Sequence, residues 1–277
     1  MPRSPHDVAV AVGDVFAGIF DQLVAWRTPV EQVIDASPET RPAEIDQVVA
    51  SLVLPRLTEP EPLLVGAGFI ADGEIVRGRD VHFAWWLGPL DANPVLGSTT
   101  EPTRLDLTTR GYTEYLRDFR ALEWYRIPAT TRHAHVTGPY VDHLCTCDYI
   151  LTLTMPVHAI DVAGLAARGD AGGSGGSGAS GAPGDAVEPA EPVEPRMVGV
   201  IGADVAVRRL ERELLAAFLD VDVPLALVND EGRVVLSTEP ALQVGQLAPI
   251  PAPDAVVEPC PGTPLRVLVN PLASGSN

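Results

Sequence analysis

Apolar residues recur at helical spacing along the first part of the chain. This spacing predicts a long amphipathic helix over roughly residues 6–34. The recurring positions are Val8, Val12, Val15, Phe16, Ile19, Phe20, Leu23, Trp26 and Val30. A second helix is predicted over residues 43–54, where we expect Pro55 to end it.

Downstream, the pattern changes to short apolar runs bounded by turn-forming residues, which is typical of strands. Two of these runs, 63–71 and 80–88, flank Asp72-Gly73, where a turn is expected. Further strands are predicted at 104–108, 149–160 and 197–205. A helix over 206–219, a hairpin over 224–238 and a strand at 264–270 complete the predicted elements.

The Gly/Ser-rich and then Pro/Glu-rich segment 168–195 has too few apolar residues to order itself, so we interpret it as a disordered insertion between two strands. The predicted organisation is a helical segment at 1–58, a main α+β unit at 59–204 and a smaller unit at 205–277. The order of the predicted strands and helices indicates two small mixed α/β units.

Composition narrows the possible partners. The 277 residues carry a net charge of −18, so nucleic acids and anionic membrane surfaces are poor partners. No uninterrupted apolar run reaches 18 residues, and Asp14 and Asp21 interrupt the apolar N-terminus, so we expect a cytoplasmic protein without membrane insertion. Three cysteines do not make a disulfide framework in a chain of this length.

The stretch Asp118–Tyr125, "DFRALEWY", combines adjacent aromatic residues with charged ones, and "YVD" follows at 140–142. One interpretation is an ordinary aromatic core. The other is a cage for a small cation, because aromatic faces and carboxylates together stabilise an ammonium group. Asp204 follows the apolar run "VGVIGA", where an unpaired carboxylate is costly, so it needs a partner. That partner is a backbone N–H, an Arg such as Arg208, or the ammonium group of a ligand.

Three segments resemble the double-Cache family of ligand-sensing domains. In that family a long N-terminal helix precedes two PAS-like units, each an antiparallel sheet with flanking helices. "DFRALEWY" resembles the D-P-R-x-R-P-W-Y signature of that family. The segment 137–157 is similar to its Y-x-D strand pair, and 199–215 is similar to its junction into the second unit. The resemblance implies a PAS-like Cache fold and a sensor, closest to the branch that binds amino acids and amines, here in a soluble form.

The resemblance also implies a ligand site. Its ammonium-binding and aromatic positions correspond to Trp124, Tyr125, Tyr140, Asp142 and Asp204. The Arg that holds a ligand carboxylate is replaced by Leu122, whereas Arg120 matches the structural Arg of the signature. An amine that lacks a carboxylate is therefore the expected ligand, because a carboxylate requires a guanidinium partner. Glu123 is either a second acceptor for a diamine or a surface residue.

Other interpretations were weighed at several of these residues. Asp142 at a strand end is equally typical of a side chain that caps a turn. His143, Cys145 and Cys147 lack the spacing of a metal site, so no metal and no cofactor are predicted. No catalytic signature accompanies Asp204 or Glu123, which disfavours an enzyme.

The predicted function is a non-enzymatic sensor, expected to be a homodimer that signals through a separate regulator or transporter. The alternative is an oligomerisation module with a vestigial pocket.

Overall fold

The computed structural model describes residues 3–37, 40–90, 97–105, 118–143, 145–159 and 195–272. The helices are α1 (Pro5–Asp35), α2 (Pro42–Leu57), α3 (Glu123–Thr131) and α4 (Val207–Leu219). The strands of the first sheet are β1 (Leu64–Val76), β2 (Arg79–Leu87), β3 (Thr103–Arg104), β4 (His135–Val141), β5 (Tyr149–Ala159) and β6 (Arg196–Ala206). Those of the second are β7 (Leu225–Val228), β8 (Val234–Ser237), β9 (Val257–Pro259) and β10 (Arg266–Val269).

The first sheet has six antiparallel strands in the order β3-β2-β1-β6-β5-β4. Successive side chains of a strand point to opposite faces, so the sheet has two distinct surfaces. Residues such as Phe69, Leu153 and Ile201 belong to the large core that also contains the apolar residues of α1 and α2. Side chains on the other face of the sheet form a second, smaller core with Phe119 and Tyr125. They include Ile70, Phe83 and Trp85. The candidate site lies on this second face.

Helix α1 packs along the molecule as the predicted amphipathic helix. Ser4 caps it by accepting a hydrogen bond from the Asp7 backbone N–H. Its buried residues join the large core, and Gly13 lies so close to Pro261 that a Cβ there would approach the proline backbone oxygen to 2.9 Å. Helix α1 is also long and apolar enough to cross a membrane, by length and composition alone. The criterion of an uninterrupted apolar run does not detect such a helix.

The C-terminal part forms the second sheet, in the order β8-β7-β10-β9. The predicted hairpin is present as β7 and β8, and Gly232 in its turn has a positive φ of 83°. Helix α4 follows β6 directly and connects the two sheets. The unit boundaries at 58 and 204 remain a prediction.

Two predicted boundaries are wrong. Helix α2 continues past Pro55 to Leu57, because the proline removes one backbone donor while the Thr58 N–H still bonds to Leu54 O at 3.1 Å. Asp72-Gly73 is an irregularity within β1 rather than a turn, and the chain reverses at Arg77-Gly78.

Two further predictions fall wholly or mostly outside the described residues. Only Pro195 of the predicted insertion is described. Only the first two residues of the predicted strand at 104–108 are described, and β3 ends at Arg104.

Candidate functional site

A partly open cavity of about 220 Å³ lies between the second face of the first sheet and the segment that leads into α3. The described residues that line it are Ile70, Phe83, Trp85, Leu105, Leu122, Trp124, Tyr140, Val141, Asp142, His143, Cys145, Ile150, Thr152 and Asp204. Four of the six predicted ligand-binding residues are therefore on its wall: Trp124, Tyr140, Asp142 and Asp204.

Strand register places Asp204 at the floor of the cavity. Asp204 on β6 lies opposite Gly66 on one neighbouring strand and Thr152 on the other. A Cβ on Gly66 would lie 3.1 Å from Asp204 Oδ2 and 3.0 Å from Trp85 Nε1. The absence of a side chain at Gly66 therefore leaves the space in which the carboxylate and the indole N–H lie beside each other.

A chain of hydrogen bonds connects three of the lining residues. The Thr152 hydroxyl donates to Asp204 Oδ1 at 2.6 Å. Because its one proton is used there, the Tyr140 hydroxyl is the donor in the 2.6 Å contact with Thr152 Oγ1. Burial and the nearby Asp204 carboxylate hold the pKa of Tyr140 well above its ordinary value, so the phenol keeps its proton.

Asp204 itself is in an environment that disfavours its charge. Burial raises its pKa to about 7, and the negative charge of Asp142 acts in the same direction, against the opposing hydrogen bond from Thr152. An ionised Asp204 is thus stabilised by any cation that enters the cavity. Carboxylates with such a raised pKa are concentrated at functional sites.

Asp142 both caps a turn and lines the cavity. Its carboxylate accepts hydrogen bonds from the backbone N–H groups of Cys145 and Thr146, at 3.1 and 3.0 Å, so it stabilises the turn between β4 and β5. It also lines the cavity, where it adds negative charge near Asp204. Within the described residues, no three His, Cys, Asp or Glu side chains are arranged to hold a metal ion.

Aromatic side chains supply much of the remaining wall. Trp124 is half-buried, and its backbone oxygen accepts a 2.6 Å hydrogen bond from the Thr154 hydroxyl, which holds the start of α3 on the sheet. Trp85 lies over the glycines of the floor, since a Cβ on Gly202 would be 3.5 Å from its Cη2 atom. The neighbouring Trp86 belongs to the large core on the other face, as strand alternation requires.

The other two predicted ligand-binding residues are not among those lining the cavity. The Tyr125 hydroxyl donates to Asp72 Oδ2, and its ring packs against Phe119 with centroids 4.9 Å apart. Glu123 accepts a 2.7 Å hydrogen bond from His135 near the surface. Both assignments are corrected by helix α3, in which successive side chains diverge by about 100°, so Trp124 and its neighbours cannot share one direction.

Arg120 anchors the segment before α3 to the β1–β2 hairpin. Its Nε donates to Asp72 Oδ1 at 2.9 Å and an Nη donates to Asp80 at 3.0 Å. Burial disfavours the charged form of Asp72, yet the hydrogen bonds from Arg120 and Tyr125 outweigh it and hold the pKa of Asp72 below its ordinary value. This structural role agrees with the one implied for Arg120.

Sequence reasoning did not identify several residues of the site. Thr152 is the most important, because it connects Tyr140 to Asp204. The available signal was the period-two alternation of side chains along β5, the strand that pairs with Asp204. This alternation places Thr152 and Thr154 on one face of β5. The apolar wall residues Ile70, Phe83, Leu105 and Ile150 were likewise assigned only to strands.

The whole arrangement is similar to solved structures of sensor domains. The ligand-binding domain of the Pseudomonas aeruginosa PAO1 amino acid chemoreceptor PctC, in complex with GABA, matches with a TM-score of 0.53 and 17% identity, covering 95% of this chain and 93% of that one. The chain has the double-Cache fold. The predicted fold class is thereby confirmed, with a PAS-like sheet, flanking helices and a smaller second sheet.

Two further double-Cache neighbours support the same fold. The domain of the P. aeruginosa PAO1 chemoreceptor PctB, in complex with L-Gln, has a TM-score of 0.51 and 11% identity, covering 96% of this chain and 86% of that one. The extracellular domain of a proposed histidine kinase, soHK1S-Z6, has a TM-score of 0.54 and 13% identity, with coverage of 96% and 91%. No family model and no curated protein sequence matches the chain.

Proposed function

We propose that this chain is a non-enzymatic sensor domain that binds a small amine in the cavity of its first sheet. The observation that carries the proposal is the position of Asp204, a carboxylate on the floor of a largely apolar cavity, with one oxygen bonded to Thr152 and the other directed toward the cavity beside Trp85. A half-buried carboxylate among apolar side chains is stabilised by a positive partner. Trp85 and Tyr140 provide aromatic surface for the same cation, and Trp124 extends the aromatic wall of the cavity.

The choice of an amine over an amino acid depends on Leu122. Among the described residues that line the cavity there is no Arg and no Lys, and Leu122 occupies the position of the carboxylate-binding Arg in the resembling family. Burying a ligand carboxylate against leucine and an acidic floor is unfavourable. Neighbours such as the GABA complex of PctC bind molecules that carry both groups, so an amine ligand would distinguish this chain from them.

Signalling is proposed to pass through α1, which contacts both the first sheet and the strands β9 and β10. A ligand that tightens the first sheet can shift this helix relative to a partner. A homodimer and a separate regulator or transporter are the proposed partners, and a cytoplasmic location remains our prediction.

Isothermal titration with a panel of amines and amino acids tests the proposal. We expect at least one amine to bind, and we expect Asp204→Asn to reduce its affinity by about a hundredfold, in line with the loss of a buried charge pair. Asp222→Asn is the matched control, because it removes one exposed charge outside the cavity and should leave affinity within about twofold.

Failure of every amine to bind, while the protein remains folded, would overturn the proposal. It would favour the alternative of an oligomerisation module with a vestigial pocket. If Asp204→Asn and Asp222→Asn lost equal amounts of amine affinity, the diffuse net charge of −18 would be attracting the amine, and the cavity would not be its binding site.

A further inference from the structure

The cavity is chemically polarised along its length. Asp204 lies opposite Gly66 of β1, whereas Ile70, on the same face of the same strand, lies opposite Phe83 and Val200. Ile70 is four positions along the strand from Gly66, a distance of roughly 13 Å at about 3.3 Å per residue. The two ends of the cavity are therefore far enough apart to contact different parts of one small molecule.

All acidic side chains among the described lining residues are at one end. Asp204 is connected through Thr152 to Tyr140. Asp142 follows Tyr140 by two positions and raises the pKa of Asp204 by its charge, which places it near the same end. His143 and Cys145 lie in the turn that Asp142 caps, so they belong to this end as well.

The opposite end is apolar. Ile70 and Phe83 are 3% and 5% exposed, and they belong to one core cluster with Leu105 and Phe119. The Phe119 ring contacts Phe83 with centroids 5.6 Å apart, and it stacks on Trp124 at 6.2 Å. Trp124 therefore covers the cavity from this apolar side, and Leu122 lies beside it, since its backbone N–H donates to Phe119 O at 3.0 Å.

From this polarity we infer that the ligand is a monoamine with an apolar body, its ammonium group at Asp204 and its hydrocarbon or aromatic part against Phe83, Ile70 and Trp124. The inference rests on the proposed function and specifies its ligand class. A diamine would place its second ammonium group among apolar side chains without a carboxylate, which is costly. An apolar body, in contrast, gains free energy with each buried methylene.

A homologous series of ligands tests this inference near pH 8, where Asp204 is ionised. Propylamine, butylamine and hexylamine should bind with affinity rising about threefold to fourfold per methylene, the equivalent of about 0.8 kcal/mol. The decisive pair is hexylamine and 1,6-diaminohexane, which share one carbon skeleton. We expect the diamine to bind at least about tenfold more weakly.

One variant reverses the expected preference. Leu122 is 39% exposed, so Leu122→Glu introduces a carboxylate on the apolar side without burying it fully. Leu122→Glu should increase the affinity for 1,6-diaminohexane relative to that for hexylamine by about tenfold. Leu122→Gln is polar and similar in size but neutral, so it should leave the ratio of the two affinities near its original value.

The outcomes separate the two proposals. If no amine binds at all, the proposed function fails and this inference fails with it. If amines bind but 1,6-diaminohexane equals or exceeds hexylamine, or affinity does not change with chain length, the monoamine inference is overturned while the amine sensor stands.

Discussion

Thr152 donates its hydroxyl proton to Asp204 Oδ1 across adjacent strands at 2.6 Å, and in return it accepts the proton of Tyr140. The bond opposes the burial that raises the pKa of Asp204 to about 7. The carboxylate is therefore held close to the balance point between its two protonation states at neutral pH. Titration of this one group should govern both the stability of the empty protein and its capture of a cation.

The first prediction concerns pH. An acid whose pKa is raised on folding binds more protons in the folded state, so the free energy of unfolding should fall as pH rises between about 4 and 7, by up to roughly 1.4 kcal/mol per pH unit. Amine affinity should change in the opposite direction, increasing through pH 7 because the ligand prefers the ionised carboxylate. Chemical denaturation and calorimetric titration over this range measure the two trends.

Asp204→Asn is the control for both trends, since it removes the titrating group. The variant should lose the pH dependence of the free energy of unfolding and of amine affinity that is assigned to Asp204. The other titratable groups on the cavity wall are Tyr140, Asp142, His143 and Cys145. If the variant kept the same dependence near pH 7, Asp204 would not be its source.

A second prediction isolates the hydroxyl of Thr152. Thr152→Val keeps the shape of the side chain but leaves Asp204 Oδ1 and the Tyr140 hydroxyl without their shared partner. We expect a loss of about 1–3 kcal/mol in stability and an upward shift in the pH midpoint of amine binding, because the bond that favours the charged carboxylate is gone.

Thr137 provides a matched control on the neighbouring strand. It lies directly opposite Thr152 and is 6% exposed, yet its hydroxyl has no hydrogen-bond partner among the described residues. Thr137→Val should leave both stability and the pH midpoint nearly unchanged. A similar shift in the two variants would mean that the Thr152 hydroxyl has no special connection with Asp204.

The sequence drew attention to Asp204 without any tertiary detail, whereas the position of Tyr125 depended on such detail. A carboxylate after an apolar run must find a partner wherever the strand lies, so its importance did not depend on tertiary detail. The direction of Tyr125, in contrast, depended on helix α3, which the pattern around 123–131 did not predict. Once that segment is helical, Tyr125 turns away from Trp124 and toward Asp72.

Long-range partners were the other part that the sequence could not supply. Asp72 precedes a glycine and was interpreted as a turn residue, but it lies 48 positions before Arg120, with which it pairs. Nothing local distinguishes such a residue from an ordinary turn former. The alternation within β1, β2 and β6 was predictable, but which residues share the cavity face followed only from the strand pairing.

A third prediction concerns this Asp72 pair. Asp72→Ala leaves the Tyr125 hydroxyl without its acceptor and leaves Arg120 only its bond to the exposed Asp80, so it should cost about 1–3 kcal/mol. Because the pKa of Asp72 is lowered on folding, this contribution is present above about pH 4 and should decrease as pH falls further. Asp80→Ala removes a carboxylate that is 74% exposed and should cost less than about 0.5 kcal/mol.

The last prediction returns to Leu122, which lines the cavity and is 39% exposed. Leu122→Arg brings a guanidinium to the wall opposite the acidic floor, so a molecule with an ammonium group and a carboxylate would find a partner for each. Affinity for GABA or L-valine should increase by about tenfold or more. Affinity for apolar monoamines should decrease, because the guanidinium repels their ammonium group. Leu122→Met, similar in size and neutral, should not change the preference. If Leu122→Arg folds normally yet gains no amino acid binding, the leucine is not what excludes carboxylates from this cavity.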